Sequence, residues 1–240
     1  MNRGAVASII SAMGGGGVRF GGERADCRGR GVSYRGRVNS VEKMSSSRGE
    51  DSLSWTNKKG ESSFADDVAS DDDGNAYVTD ILGNRIWKVS PDGEPLSVIK
   101  NATFRQRPGT MDNLIGLNGI VYHPNGYLLV VHTSGRDLFK VDPKTGAVSV
   151  VRVRGTLKSG DGLELISPTK LAVAGMPSRL VESSDDWETA SVTGRYFGPV
   201  HRIGSSATVK DGDVYVNHIV GFGLGKKKTH VLAKAVFAPL

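Results

Sequence analysis

From about residue 64 onward, apolar and polar positions alternate in short bursts rather than along a helical stripe. Ala76-Tyr77-Val78-Thr79-Asp80 is one burst, and Ile86-Trp87-Lys88-Val89 is the next. Asp73-Gly74 precedes the first and Pro91-Asp92-Gly93 follows the second. Runs rich in β-branched and aromatic residues, bounded by such dipeptides, predict β-strands joined by tight turns. No window of this part has the 3.6-residue period of an amphipathic helix.

The arrangement recurs. A shift of 52 residues carries the first unit onto Asn125-Gly126-Tyr127-Leu128-Leu129-Val130-Val131-His132 and Leu138-Phe139-Lys140-Val141, and Val68 onto Ile120. A shift of 43 carries Asn118-Gly119-Ile120 onto Asp161-Gly162-Leu163, and Leu128-Leu129-Val130-Val131 onto Leu171-Ala172-Val173-Ala174. A looser fourth copy turns at Asp211-Gly212 and continues as Val214-Tyr215-Val216. A repeat of about 40–50 residues made of strands and turns is the signature of a propeller blade. The expected fold is all-β: a β-propeller of four-stranded antiparallel blades, about four of them. A β-sandwich would explain the turns but not the constant offset.

Equivalent positions on the first strand of each blade converge on the propeller axis. The aligned set is Asp66, Asn118 and Asp161, each ten residues before Ala76, Leu128 and Leu171. Counting ten back from Val214 gives Gly204, with His201 three residues earlier. A carboxylate, an amide and a carboxylate are hard oxygen donors suited to Ca²⁺, Mg²⁺ or Mn²⁺. The same residues before glycine also make ordinary turns at strand entry, so both readings stand.

Gly116-Leu117-Asn118-Gly119-Ile120-Val121-Tyr122-His123-Pro124-Asn125-Gly126, Gly160-Asp161-Gly162-Leu163 and Asp66-Asp67-Val68-Ala69 resemble the senescence marker protein/gluconolactonase family, also called calcium-dependent phosphotriesterase-like, in its plant branch. The resemblance covers about residues 64–240. It implies a six-bladed propeller with a divalent cation in the channel, calcium first and magnesium, manganese or zinc as alternatives. It further implies metal ligation by Asn118 and Asp161, and substrate contact at Asp66. Asp161 or Asp67 would move the proton, and His201 is a further candidate for substrate contact. The family's remaining ligand, a glutamate of the first blade, has no counterpart before residue 64. Four units where the family uses six suggest a truncated or spliced product, or a smaller ring. Open blade edges would favour self-association. The implied chemistry is metal-dependent hydrolysis of a lactone or related ester. A non-catalytic binding propeller and a metal-free strictosidine-synthase-like protein are the alternatives.

Composition changes this picture at one end only. The chain carries 31 Lys/Arg against 25 Asp/Glu. Residues 1–63 hold eleven of the basic residues and six of the acidic ones, with twelve glycines and Ser45-Ser46-Ser47. Such a segment buries little apolar area, and it reads as a disordered extension with the arginine-rich, acid-poor character of an organelle transit peptide. Ser8 and Ser11 interrupt its apolar stretch, which makes a poor secretory signal. The body is nearly neutral, which argues against a nucleic-acid partner. One cysteine, Cys27, excludes an internal disulfide. No apolar run reaches the roughly 18 residues of a spanning helix. The histidines lack zinc-type spacing and are expected to pack rather than ligate.

Overall fold

In the computed structural model of this chain, residues 63–219 and 230–240 are described. The expected extension lies, apart from Ser63, outside them. Strands β1 (Ala65–Ser70), β2 (Ala76–Asp80), β3 (Arg85–Val89) and β4 (Pro95–Lys100) form the first antiparallel sheet. The second contains β5 (Leu117–Tyr122), β6 (Leu128–His132), β7 (Asp137–Val141) and β8 (Val148–Arg154). The third contains β9 (Leu163–Ser167), β10 (Lys170–Val173), β11 (Ser178–Glu182) and β12 (Thr189–Tyr196). The fourth has β13 (Ile203–Lys210), β14 (Asp213–Ile219) and β15 (Val231–Lys234), three described strands rather than the expected four. The short last strand, β16 (Ala238–Pro239), pairs with β12. Inner strands β1, β5, β9 and β13 lie side by side in that order, the radial arrangement of propeller blades. Among the described residues no helix is long and apolar enough to cross a membrane.

The alternation read from the sequence builds the cores between blades. Tyr77, Ile86 and Ile99 of blade 1 meet Leu117, Ile120, Leu128, Val130 and Phe139 of blade 2. Leu129, Val131 and Leu138 on the other face of blade 2 meet Leu171, Val173, Val181 and Trp187 of blade 3. Ala172 and Ala174 then meet Ala207, Val214 and Val216. On β6 and β10 even and odd positions face opposite neighbours, whereas the bulge in β5 turns both Leu117 and Ile120 toward blade 1.

Two features depart from a simple stack of blades. Outer strands β8 and β12 pair in parallel, Arg152–Arg154 against Thr189–Ser191. This joins blades 2 and 3 into one sheet. The junction of blades 3 and 4 also carries a carboxylate. Glu164 is buried at 2% exposure, and its Oε1 accepts a hydrogen bond from Val209 N at 3.1 Å. Burial pushes its carboxyl up to about 7, against the single opposing hydrogen bond.

The sign of the linkage follows. A carboxyl whose folded value is raised favours folding below its ordinary value of 4.5, and this advantage is lost as pH rises through about 7. Glu164→Gln keeps an acceptor for Val209 N without the charge. At about pH 8 we expect the variant to be more stable than the parent by on the order of 2 kcal/mol, with the difference vanishing near pH 4. Urea unfolding of both proteins across that range measures it.

Candidate functional site

β-bulges interrupt the inner strands where the chemistry sits. The β1–β2 register shifts between Ala65 and Val68, β5–β6 between Leu117 and Ile120, and β13–β14 between Gly204 and Ser206. A bulge re-aims side chains that a flat ladder would point elsewhere. Asp66 and Asp67 occupy the first bulge, and Asn118 and Gly119 the second. Val68, Ile120 and Leu163 lie opposite Val78, Val130 and Val173, so Asp66, Asn118 and Asp161 are structurally equivalent, as the sequence offsets indicate.

These three positions converge. The Asn118 amide lies close enough to the Asp161 carboxylate to favour its charged form. Asp66 acts electrostatically on Asp161 and on Asp67. Burial pushes the Asp161 carboxyl up to about 8, and the neighbouring Asp66 charge adds to the effect. Burial alone takes Asp66 to about 7. Asp67 is raised well above the usual carboxylate range, first by burial and then by Asp66. Three acids in one desolvated place cannot all ionise cheaply without a compensating positive charge.

Asp67 sits differently from its neighbours. Only 3% exposed, it accepts Val68 N on Oδ1 at 2.9 Å and Ile120 N on Oδ2 at 3.2 Å. Both oxygens serve main-chain donors, one across the blade junction. That placement suits a structural bridge better than the proton transfer expected of it. His201 is exposed on the β12–β13 loop with φ +60°. β13 begins at Ile203, so His201 stays on the loop and does not join the ring.

The fourth blade corrects the count made from sequence. Ala207 lies opposite Val216, and Gly162 N donates to Ser205 O at 3.0 Å. A Cβ on Gly119 would collide with the Asp161 carbonyl, and one on Gly162 would lie 2.8 Å from the Ser205 carbonyl. Ser205, not Gly204, is therefore the partner of Asp161 in the ring. Its hydroxyl receives Asn217 Nδ2 at 3.1 Å. The β13–β14 turn is the two-residue Asp211-Gly212, shorter than the loop between β1 and β2, and this slides the inner strand by one residue. That short turn was the available signal.

His123, His132 and His218 pack or cap, whereas His201 and His230 are exposed. His132 Nδ1 accepts Gly135 N at 2.9 Å, just as Asp80 Oδ1 accepts Gly83 N at 2.8 Å one blade earlier. His123 stacks on Tyr127 and binds the Pro168 carbonyl at 2.8 Å. Trp87 and Phe139 hold equivalent buried positions on β3 and β7.

The ring residues suit a hard cation on one specific ground. Asn118 is 5% exposed, and its Oδ1 has no hydrogen-bond partner. An amide oxygen is rarely left in that state, and it lies beside an uncompensated acidic pair. Among the described residues no three His, Cys, Asp or Glu side chains form a metal-holding group. The donor set on offer is thus Asp66, Asp161 and the Asn118 amide oxygen.

No protein-family model matches the chain, and no curated protein sequence matches it. Solved structures do. The Malassezia sympodialis allergen Mala s 1 is 19% identical with a TM-score of 0.53, over 75% of this chain and 58% of that one. A protein provisionally called a gluconolactonase is 16% identical with a TM-score of 0.50, over 73% of this chain and 60% of that one. The chain thus spans under two thirds of the length of each of these two. The likeness shows a shared β-propeller fold.

Removing one charge from the ring tests its electrostatics. In chelator-containing buffer near neutral pH, Asp161→Asn retains an acceptor for Asn118 and relieves the crowding with Asp66. Differential scanning calorimetry should then show the variant melting higher, by the equivalent of about 1–2 kcal/mol.

Proposed function

We propose that this chain is a metal-dependent hydrolase of lactones or related esters, with its cation held in the propeller channel. The observation that carries the reading is the unpartnered Asn118 Oδ1 beside the Asp66–Asp161 pair. Asn118, Asp161 and Asp66 would hold calcium or a similar hard divalent ion. When bound, such an ion supplies Lewis-acid polarisation of an ester carbonyl. Asp161 also accepts the proton released from the attacking water, with the Asn118 amide fixing its orientation. Asp66 faces substrate from the neighbouring blade. The bulges at Asp66 and Asn118 re-aim these side chains, whose oxygens would serve as ligands to the cation. The fold shared with a protein that carries the gluconolactonase name agrees with this reading, as does the sequence resemblance to the plant branch of the senescence marker protein family.

A second reading is a non-catalytic binding propeller. It is favoured by the donor set, which lacks a third carboxylate arranged for metal among the described residues.

Calcium titration of the full chain by calorimetry separates the two. We expect saturable binding, lost in Asp161→Ala and weakened at least tenfold in Asn118→Ala, since each removes a ligand. Hydrolysis of chromogenic lactones and esters by the calcium-loaded protein then tests catalysis. A folded chain that binds no divalent ion overturns the hydrolase reading.

A further inference from the structure

The two ends of the blades carry opposite chemistry. At the end from which the inner strands start, the loops between strands expose large apolar side chains. Leu82 follows β2, and Met111, Leu114 and Ile115 lie in the β4–β5 connection. Met176 lies between β10 and β11, and Phe197 and Val200 between β12 and β13. Phe197 and Val200 are 73% and 80% exposed, and Met111 is 75% exposed. The exposed cations Arg105, Arg107, Arg136 and Lys158 stand on loops at the same end. Arg107 also pairs with Asp137 at 2.6 Å.

These loops form one continuous rim. Gly116 N donates to Ile81 O, Thr133 N to Gly116 O, and Ser134 N to Ile115 O. Thr133 Oγ1 donates to Gly160 O at 2.6 Å. Gly175 packs closely on the Ser159 carbonyl, and Gly204 on the Gly175 carbonyl. The rim runs along blades 1 to 4 at the end of the inner strands where Asp66, Asn118 and Asp161 sit.

The opposite end is more acidic and exposes fewer large apolar side chains, Leu96 at the start of β4 and Val236 after β15. Its hairpin loops expose Asp72, Asp73, Glu94, Asp185, Glu188 and Asp211, with Lys144 as an exposed cation among them. A near-neutral body thus conceals a separation of charge along the axis. Apolar side chains interspersed with arginine and lysine, on a contiguous rim, match a lipid surface of negative charge. A polar channel mouth alone needs no such collar.

We propose that this rim docks the propeller onto a bilayer bearing anionic lipid, channel mouth toward the membrane. Leu114, Phe197 and Val200 enter the interface, and the arginines meet the headgroups. The proposal does not depend on the channel holding a metal.

Vesicle flotation of the full chain tests it, with phosphatidylcholine alone or containing phosphatidylserine. We expect binding only to the anionic vesicles, weakening with salt. Leu114→Ser combined with Phe197→Ser should cut binding by roughly tenfold or more, because two apolar side chains lose their burial. A fluorophore at Val200→Cys, in a Cys27→Ser background, should shift to the blue on vesicle addition. One at Asp92→Cys on the opposite end should not. If the double variant binds as the parent does, the basic residues 1–62 carry the attraction and the proposal fails. A chain that ignores vesicles, or labels that shift equally, also overturns it and leaves the rim to a protein partner.

Discussion

From blade 2 to blade 4 the inner strands of adjacent blades approach until no side chain fits between them at Gly119 and Gly162. Gly119 rests on the backbone of Asp161 to Leu163, and Gly162 on that of Ser205 and Ser206. Blade 1 has Asp67 where blades 2 and 3 have Gly119 and Gly162, and its carboxylate reaches across to Ile120 N instead. This close approach places the preceding residue of each blade at the axis. The meeting of Asp66, Asn118 and Asp161 follows from packing the blades this tightly. Desolvation of those acids is the energetic consequence, offset elsewhere by the apolar cores between the sheets.

Much of this was legible in the chain. The 52- and 43-residue offsets located three equivalent ring residues, because a blade repeats its turns as well as its strands. The glycines after Asn118 and Asp161 read only as turn residues in the chain, and it took the structure to show them at a close approach between blades. Ser205 was missed because the count assumed hairpins of equal length, and the Asp211-Gly212 turn is shorter. Asp67 looked like a second proton carrier, since nothing in a sequence shows where main-chain donors point. Charge was misleading in a different way. Summing along the body gives near neutrality, and a linear sum cannot show that hairpins at one end gather aspartates while loops at the other gather arginines.

The same geometry serves stability and chemistry in opposite senses. Glycine, bulge and buried acid all weaken a β-sheet locally. They meet on the inner strands, while bulky contacts such as Phe139, Val181 and Trp187 lie farther from the axis, where β3–β4 and β11–β12 also carry register shifts. A propeller can tolerate a costly axis because its apolar seams run between blades, away from the channel.

The parallel pairing of β8 with β12 has a consequence for how the molecule opens. It ties the outer edges of blades 2 and 3 together, and β16 covers more of the same β12 edge. These two blades can separate only if the inner seam and the outer edge break together. They therefore behave as one cooperative unit, and their amide protons exchange with solvent only in the rarest, largest openings. The chain leaving β15 reaches β12 through β16, which also holds blade 4 to blade 3. Blade 1 has no such strap among the described residues, so it is the part that frays first.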